Sequence, residues 1–266
     1  MAAMNVSALP DKAAFAAANG LAYSASGGQP QFVGSMFDYL QNSQVTDVFQ
    51  LPGVFEVGIV TGTVGGGQVW PGTGGTVSTT FTTTDVATLG YMAIQLDAAL
   101  PQYVLDARSN DVGTLSSIIM PIAGGQTISL EGDFDRYFTL YGPKGYETDA
   151  RYVFTPDLMG LLIDETGDFD VEIVEDKLFV YARGVFDLSS AALWQRLDRI
   201  RRVVGAKALR QTGRYVDAKP LTEGSRRLRM GFFGSRSKVG LIFILALGTS
   251  VVLGLVGLVV ALVVFP

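Results

Sequence analysis

Two short runs of carboxylates are the residues in this chain whose types and spacing come closest to chemistry. Glu131, Asp133 and Asp135 alternate along SLEGDFDRYFTLYG, and Asp168, Asp170 and Glu172 alternate along GDFDVEIV. Alternate residues of an extended strand share a face, so each run would present its acids together. Side by side, the two runs would offer oxygen ligands suited to Ca²⁺ or Mg²⁺. A carboxylate-and-metal hydrolase or transferase would follow, with Asp133, Asp135, Asp168 and Asp170 as the ligand candidates. The spacing lacks the glycine and terminal glutamate of an EF-hand loop. Strand acids are more simply a solvated face that discourages edge pairing, so no metal and no cofactor is expected.

Other chemistry is narrowed by what the chain does not contain. It has no His and no Cys, which removes disulfides, thiolate nucleophiles, imidazole bases and nearly every zinc or haem arrangement. Ser-His-Asp catalysis is excluded with them. The glycines of TGTVGGGQVWPGTGGT invite comparison with a phosphate-binding loop, but no Lys-Ser/Thr follows and no helix opens after them. They lie between β-like runs and read as a flexible hairpin or loop.

Charge is divided unevenly along the chain. Residues 1–195 carry 7 Lys and Arg against 22 Asp and Glu, a balance of −15, whereas residues 196–266 carry 13 against 3, a balance of +10. An acidic folded part is a poor match for nucleic acid, so nucleic acid is not an expected partner. The basic part leads into VGLIFILALGTSVVLGLVGLVVALVVFP, which has no ionisable side chain. Roughly 20 apolar residues cross a bilayer core of about 30 Å, so residues 239–265 are predicted to form a transmembrane helix, with the lipid bilayer as partner. Arg226, Arg227, Arg229, Arg236 and Lys238 precede it and are expected at the membrane surface. The positive-inside rule then places the preceding domain on the cytoplasmic side of the cell membrane, as a single-pass, tail-anchored protein. MAAMNVSALPDKAAFAAANG has neither a basic leader nor a continuous apolar stretch, so no secretory signal is expected. Ala246, Ser250 and Gly254 recur every four residues on one face of the span, a pattern that allows close approach of a second helix, in a homodimer or with another membrane protein.

The elements that must position these residues point to an α+β fold, mainly antiparallel strands with a few helices. Asp11 to Asn19 is predicted as a helix stopped by Gly20. VFEVGIVTG, TTFTTTDV and YMAIQLDAAL read as strands, the last closed at Leu100-Pro101, and YVLDARS as one more. In TPDLMGLLIDE, Thr155 stands at an N-cap with Pro156 at the first helical position. Asp170–Val174 and Lys177–Ala182 are predicted as a hairpin turning at Glu175-Asp176. From Ser189 to Leu209, Leu193, Leu197, Ile200 and Val204 keep helical period with arginines on the flanks. That helix either lies on an anionic leaflet or packs on the sheet. The expected organisation is a soluble acidic domain over 1–188, as one unit or in halves 1–127 and 128–188, an amphipathic basic helix over 189–210, a basic juxtamembrane tether over 211–238, and the span.

Residues 128–182 resemble a module of uncharacterised membrane-associated proteins of high-GC Gram-positive bacteria. The resemblance rests on Phe134 to Tyr141, Asp149 to Tyr152, Thr155 to Ile163 and Leu178 to Tyr181; FAAANGLAY and YMAIQLDAALPQYVLDARS resemble the upstream part. It extends over residues 11–190, with 60–84 departing from the pattern. It implies organisation and no reaction, its strands and helix being structural positions. Three classes of function remain: a non-catalytic binding or scaffold protein whose acidic domain docks a partner or folds back on its basic segment, a subunit of a larger membrane complex, and the metal-dependent enzyme.

Overall fold

A computed structural model describes residues 3–71, 77–111, 118, 120–182, 184–217 and 226–230, giving the backbone path alone for 65–71 and 77–85. Helix α1 (Lys12–Ala18) is followed by strand β1 (Ala22–Gly28), helix α2 (Ser35–Tyr39), and strands β2 (Leu40–Leu51), β3 (Phe55–Pro71) and β4 (Val77–Ala107). Strands β5 (Thr127–Ile128) and β6 (Phe138–Tyr141), helices α3 (Glu147–Val153) and α4 (Pro156–Thr166), and strand β7 (Asp170–Tyr181) come next. The chain continues through α5 (Ala191–Ile200), a π-turn over Arg201–Gly205, and α6 (Ala206–Thr212). This is the expected α+β class. The seven strands form one antiparallel sheet in the order β1-β2-β3-β4-β6-β5, with β7 also paired to β4.

Strand alternation divides the interior into two cores on opposite faces of the sheet. On β7, Val171, Ile173, Leu178 and Val180 enter the first core, while Val174, Phe179 and Tyr181 enter the second. Helices α1, α3, α4, α5 and α6 cover the first face, through Phe15, Val153, Leu158, Trp194 and Ala208 among others. The second face is covered more thinly, by α2 through Met36 and Phe37, by Ile118, Met120 and Ile122, and by Leu228. An aromatic cluster of Phe32, Phe37, Tyr91, Phe179 and Tyr181 lies here, with ring centroids 5.3–6.1 Å apart.

Local chemistry accounts for most element ends. Asp11 caps α1 by accepting from the Ala14 N–H at 2.9 Å, and Gly20 follows at φ +66°, a conformation glycine adopts without Cβ strain. Thr155 has the extended N-cap backbone and Pro156 opens α4, although the Thr155 hydroxyl makes no capping bond. Ser190 caps α5 through the Leu193 N–H.

Three expectations are corrected. The segments read as separate strands between Thr79 and Ser109 fall, as far as Ala107, in one 31-residue strand, β4, which runs through Pro101, and Arg108 and Ser109 lie in a 3₁₀ turn after it. Proline lacks the N–H a regular ladder needs, and β4 accommodates it at an irregularity, where pairing with β7 shifts between Leu100 and Tyr103. The hairpin at Glu175-Asp176 is likewise a single strand, β7, bent at Glu175, whose φ of +51° lies opposite the shift in β4 between Gln95 and Leu100. The polar residues that resemble a turn lie opposite a bulge, the extra residues 96–99 of β4, and an irregularity of this kind bends a pair of strands without ending it. Finally, Glu131 to Asp135 is not a strand: residues 134–136 form a 3₁₀ turn and β6 begins at Phe138.

The glycine-rich stretch is a ribbon. β3 and β4 stay paired from Phe55↔Ile94 out to Pro71↔Val77, whereas β2 accompanies β3 only as far as Val64. Seven residue pairs extend past the sheet, about 24 Å at 3.4 Å per residue. The stretch from Val57 to Thr84 contains no charged residue.

The basic helix belongs to the domain. Trp194, Leu197, Ile200 and Val204 are in the first core. Arg196 pairs with Asp168, Arg199 with Glu165 and Lys207 with Asp157, while Arg201 and Arg202 both reach Asp198. Of its two expected placements the structure has the packing on the sheet, since most of its cations are already matched by the domain's acids. Among the described residues no helix is long and apolar enough to cross a membrane. The segment 239–265, with Ala246, Ser250 and Gly254, lies outside the described residues, as do Arg236 and Lys238.

Candidate functional site

The most specific polar assembly in the molecule lies on the second face, beside the irregularity at Pro101. Because β4 is out of regular register with β7 there, the Gln102 N–H is not used by the sheet and donates to the Arg226 carbonyl at 2.9 Å. The Gln102 side-chain carbonyl accepts from the Leu228 N–H at 2.8 Å. The main chain and side chain of one residue thus bracket Arg227, where the segment bends. Gln126 does the same further along: its carbonyl accepts from the Arg229 N–H at 2.8 Å, and its amide donates to the Arg229 carbonyl at 2.9 Å. The Ala123 N–H donates to that same carbonyl at 2.9 Å, and Met230 bridges to Ile122. Residues 226–230, Arg-Arg-Leu-Arg-Met, therefore form a strap held on the domain by its main chain.

Side chains add register. Leu228 is 8% exposed and belongs to the second core. Arg227 pairs with Asp38 of α2 and with Glu175 at the β7 bend, the latter at 3.5 Å. Arg226 donates to the Ala99 carbonyl at 2.8 Å and pairs with Asp217 at 3.3 Å. Asp217 in turn accepts from the Tyr146 hydroxyl at 3.0 Å. Burial and that bond push the Tyr146 hydroxyl up to about 12, because phenolate beside a carboxylate is disfavoured.

Beneath the strap lies a fully buried carboxylate. Glu172 accepts from the Ser35 N–H at 2.8 and 3.0 Å, the Ser35 hydroxyl at 2.9 Å, the Gln102 amide at 2.7 Å and the Tyr181 hydroxyl at 3.0 Å. Burial raises its pKa, and the bonds from Gln102, Ser35 and Tyr181 oppose the rise. Gly34 brings the backbone close, since a Cβ there would sit 3.1 Å from a Glu172 oxygen. Gln102 joins the two layers, its amide turned toward Glu172 and its carbonyl toward the strap. The carboxylate thereby selects one orientation of the glutamine.

The acids singled out by spacing are not brought together. β6, which follows the 131–135 run, and β7, which carries 170 and 172, flank β4 on opposite sides at Val104 and Leu105. Asp133 is exposed and Asp135 accepts from the Ser129 hydroxyl. Asp168 pairs with Arg196, Asp170 accepts from the Ala107 N–H at 2.9 Å, and Glu172 is the buried anchor. No group of three or more His, Cys, Asp or Glu among the described residues is placed to hold a metal ion. The spacing argument fails because it requires two strands and the first run is a turn. Arg226 and Arg227, expected at the membrane surface, are engaged with the domain, while Arg229 is exposed. The expected tether is accordingly pinned over 226–230.

Sequence reasoning missed Gln102, Gln126, Asp38 and Glu175. Two signals pointed that way: a proline inside a strand, and an acid, Glu172, flanked by Val171 and Ile173.

No protein-family model matches the chain, and no curated protein matches it. Among solved structures, the crystal structure of the mycobacterial trehalose monomycolate transport factor A, TtfA, is similar at a TM-score of 0.41 and 11% identity, over 73% of this chain and 93% of that one.

Proposed function

We propose that this chain is a membrane-anchored, non-catalytic binding or scaffold protein of the cytoplasmic face, and a member of the uncharacterised membrane-associated family that its 128–182 module resembles. The observation that carries the reading is the strap: the basic segment leading to the apolar run 239–265 is clasped by the acidic domain through main-chain bonds. With residues 239–265 in the bilayer, only residues 231–238 separate the strap from the span. Eight residues reach at most about 28 Å when fully extended, so the domain stays close to the membrane and presents a preferred side to it. A domain that carries 14 Lys and Arg against 24 Asp and Glu over residues 1–217, a balance of −10, is repelled by an anionic leaflet, and the clasp holds it there against that repulsion. The Ala246, Ser250 and Gly254 face of the span then serves association, with a second copy or with another membrane protein.

The reading is tested by crosslinking in native membranes, comparing the full chain with one truncated before Val239. The expected result is that the full chain floats with membranes and captures specific partners, and that the truncated chain does neither. A full chain that stays out of the membrane fraction, or partner capture that is the same in both forms, would overturn it.

A further inference from the structure

We infer that the groove under the strap is a recognition site for a short peptide of the pattern basic-aliphatic, and that residues 226–230 are its resident, competing occupant. The inference deepens the binding reading above and rests on it. Four features of the groove point to it.

The first is how the strap is read. The hydrogen bonds of Gln102 and Gln126 to it go to backbone N–H and carbonyl groups, so they are open to any segment that follows the same backbone path. This is the logic of strand addition, in which main-chain bonds supply affinity and pockets for individual side chains supply selection. Selection here comes at two adjacent positions. Asp38 and Glu175 face Arg227, and the second core receives Leu228.

The second is preorganisation. Gln102 is held from below by Glu172, itself fixed by Ser35 and Tyr181. The reading group is therefore oriented by buried residues that do not touch the peptide, an arrangement that lowers the ordering cost of binding.

The third is separability. Among the described contacts, the strap joins the fold by an isolated bridge at Met230 and a handful of bonds, and is no strand of the sheet. The helical layer and the first core contain no residue of it. Its departure would take Leu228 from the second core and leave the first core and the helices over it intact.

The fourth is charge. Gln102 and Gln126 are each 3% exposed with the strap docked and would bond to water once it leaves, so the side chains flanking the groove set its preference. Charge complementarity identifies the occupant: an acidic rim in an acidic domain suits a cationic peptide.

The test uses the full chain in detergent and a fluorescein-labelled peptide of sequence GSRRLRMG, followed by polarisation. The tethered strap competes at an effective concentration on the order of millimolar, so the wild-type chain should bind the peptide weakly. Leu228→Asp should vacate the groove and tighten binding at least about tenfold. Adding Gln126→Ala should reverse that gain. A peptide with its central Leu changed to Asp should not bind. If Leu228→Asp impairs folding on a melting curve, the double substitution Leu228→Pro, Arg229→Pro, which removes the two N–H groups that Gln102 and Gln126 accept from, vacates the groove instead. A folded, vacated chain that binds the peptide no better than wild type, or that binds the Leu-to-Asp peptide equally well, would overturn the inference. Failure here with anchor-dependent partner capture intact refutes the groove alone, whereas loss of both refutes the binding reading.

Discussion

Replacing Glu172 by Ala isolates the role of the buried carboxylate, because it removes one acceptor and strands four donors. These are the Ser35 N–H, the Ser35 hydroxyl, the Gln102 amide and the Tyr181 hydroxyl. A buried donor left without a partner costs about 1–3 kcal/mol. The two hydroxyls can rotate toward other acceptors, whereas the Ser35 N–H and the Gln102 amide are constrained, so the loss is about 2–6 kcal/mol. The desolvation of a charge is no longer incurred, and this offsets part of the loss. A net destabilisation of about 3 kcal/mol follows, which in a domain of this size lowers Tm by about 10 °C. The pH dependence has a definite sign. Burial raises the Glu172 pKa above its ordinary value of 4.5, so the folded chain holds this proton more tightly than the unfolded chain. Its contribution to stability is fully present below pH 4.5 and is lost as pH rises through the raised folded value. Melting followed by circular dichroism across that range should show wild type gaining stability, relative to Glu172→Gln, as pH falls. A Glu172→Ala chain that melts within about 2 °C of wild type, or a Glu172→Gln chain with the wild-type pH slope, would refute the role assigned to this residue.

Further outcomes follow from the same structure. Leu228→Asp places a charge in the second core, and should speed trypsin cleavage after Arg226, Arg227 and Arg229 severalfold while Trp194 fluorescence stays that of the folded domain. Asp38→Arg should loosen the strap by only about 0.2–1 kcal/mol, the range of exposed ion pairs, and the loosening should vanish in high salt in the same protease assay. Trp194→Ala, at a site with 0% exposure, should cost about 3–5 kcal/mol in a denaturant titration without changing strap protection in the surviving folded fraction. Gly90→Ala would put a Cβ 2.3 Å from the Phe186 ring, and should cost about 1–3 kcal/mol through overpacking, read as a fall in the midpoint of the same titration.

Much of the fold was legible because the residues concerned act locally. Thr155-Pro156 sits at the start of α4, and the period of Leu193, Leu197, Ile200 and Val204 matches the face that packs on the first core. Strand continuity was not legible. Pro101 and Glu175 carry turn-like chemistry, and only their mutual position across β4 and β7 converts two apparent stops into one paired irregularity. The site was hidden for a related reason. A glutamine has no periodic or electrostatic signature, and Gln102 and Gln126 gain their roles by meeting a segment more than 100 residues away. The acids showed the opposite failure. Alternation made Asp133 and Asp135 conspicuous, yet a 3₁₀ turn dissolves the shared face, while Glu172, third in its run, proved to be the acid the fold organises around.

The central claim is that the acidic domain clasps the basic strap while the chain is in its membrane. The chain has no cysteine, so the substitutions Asp38→Cys and Arg227→Cys introduce a unique thiol pair at a contact that exists only when the strap is docked. Native membranes bearing the full-length double variant would be treated with a short bifunctional maleimide and the products separated by electrophoresis. The account predicts an efficient intramolecular crosslink, abolished by adding Leu228→Asp. Thiols that remain unlinked in the membrane, or a crosslink indifferent to Leu228→Asp, would contradict it.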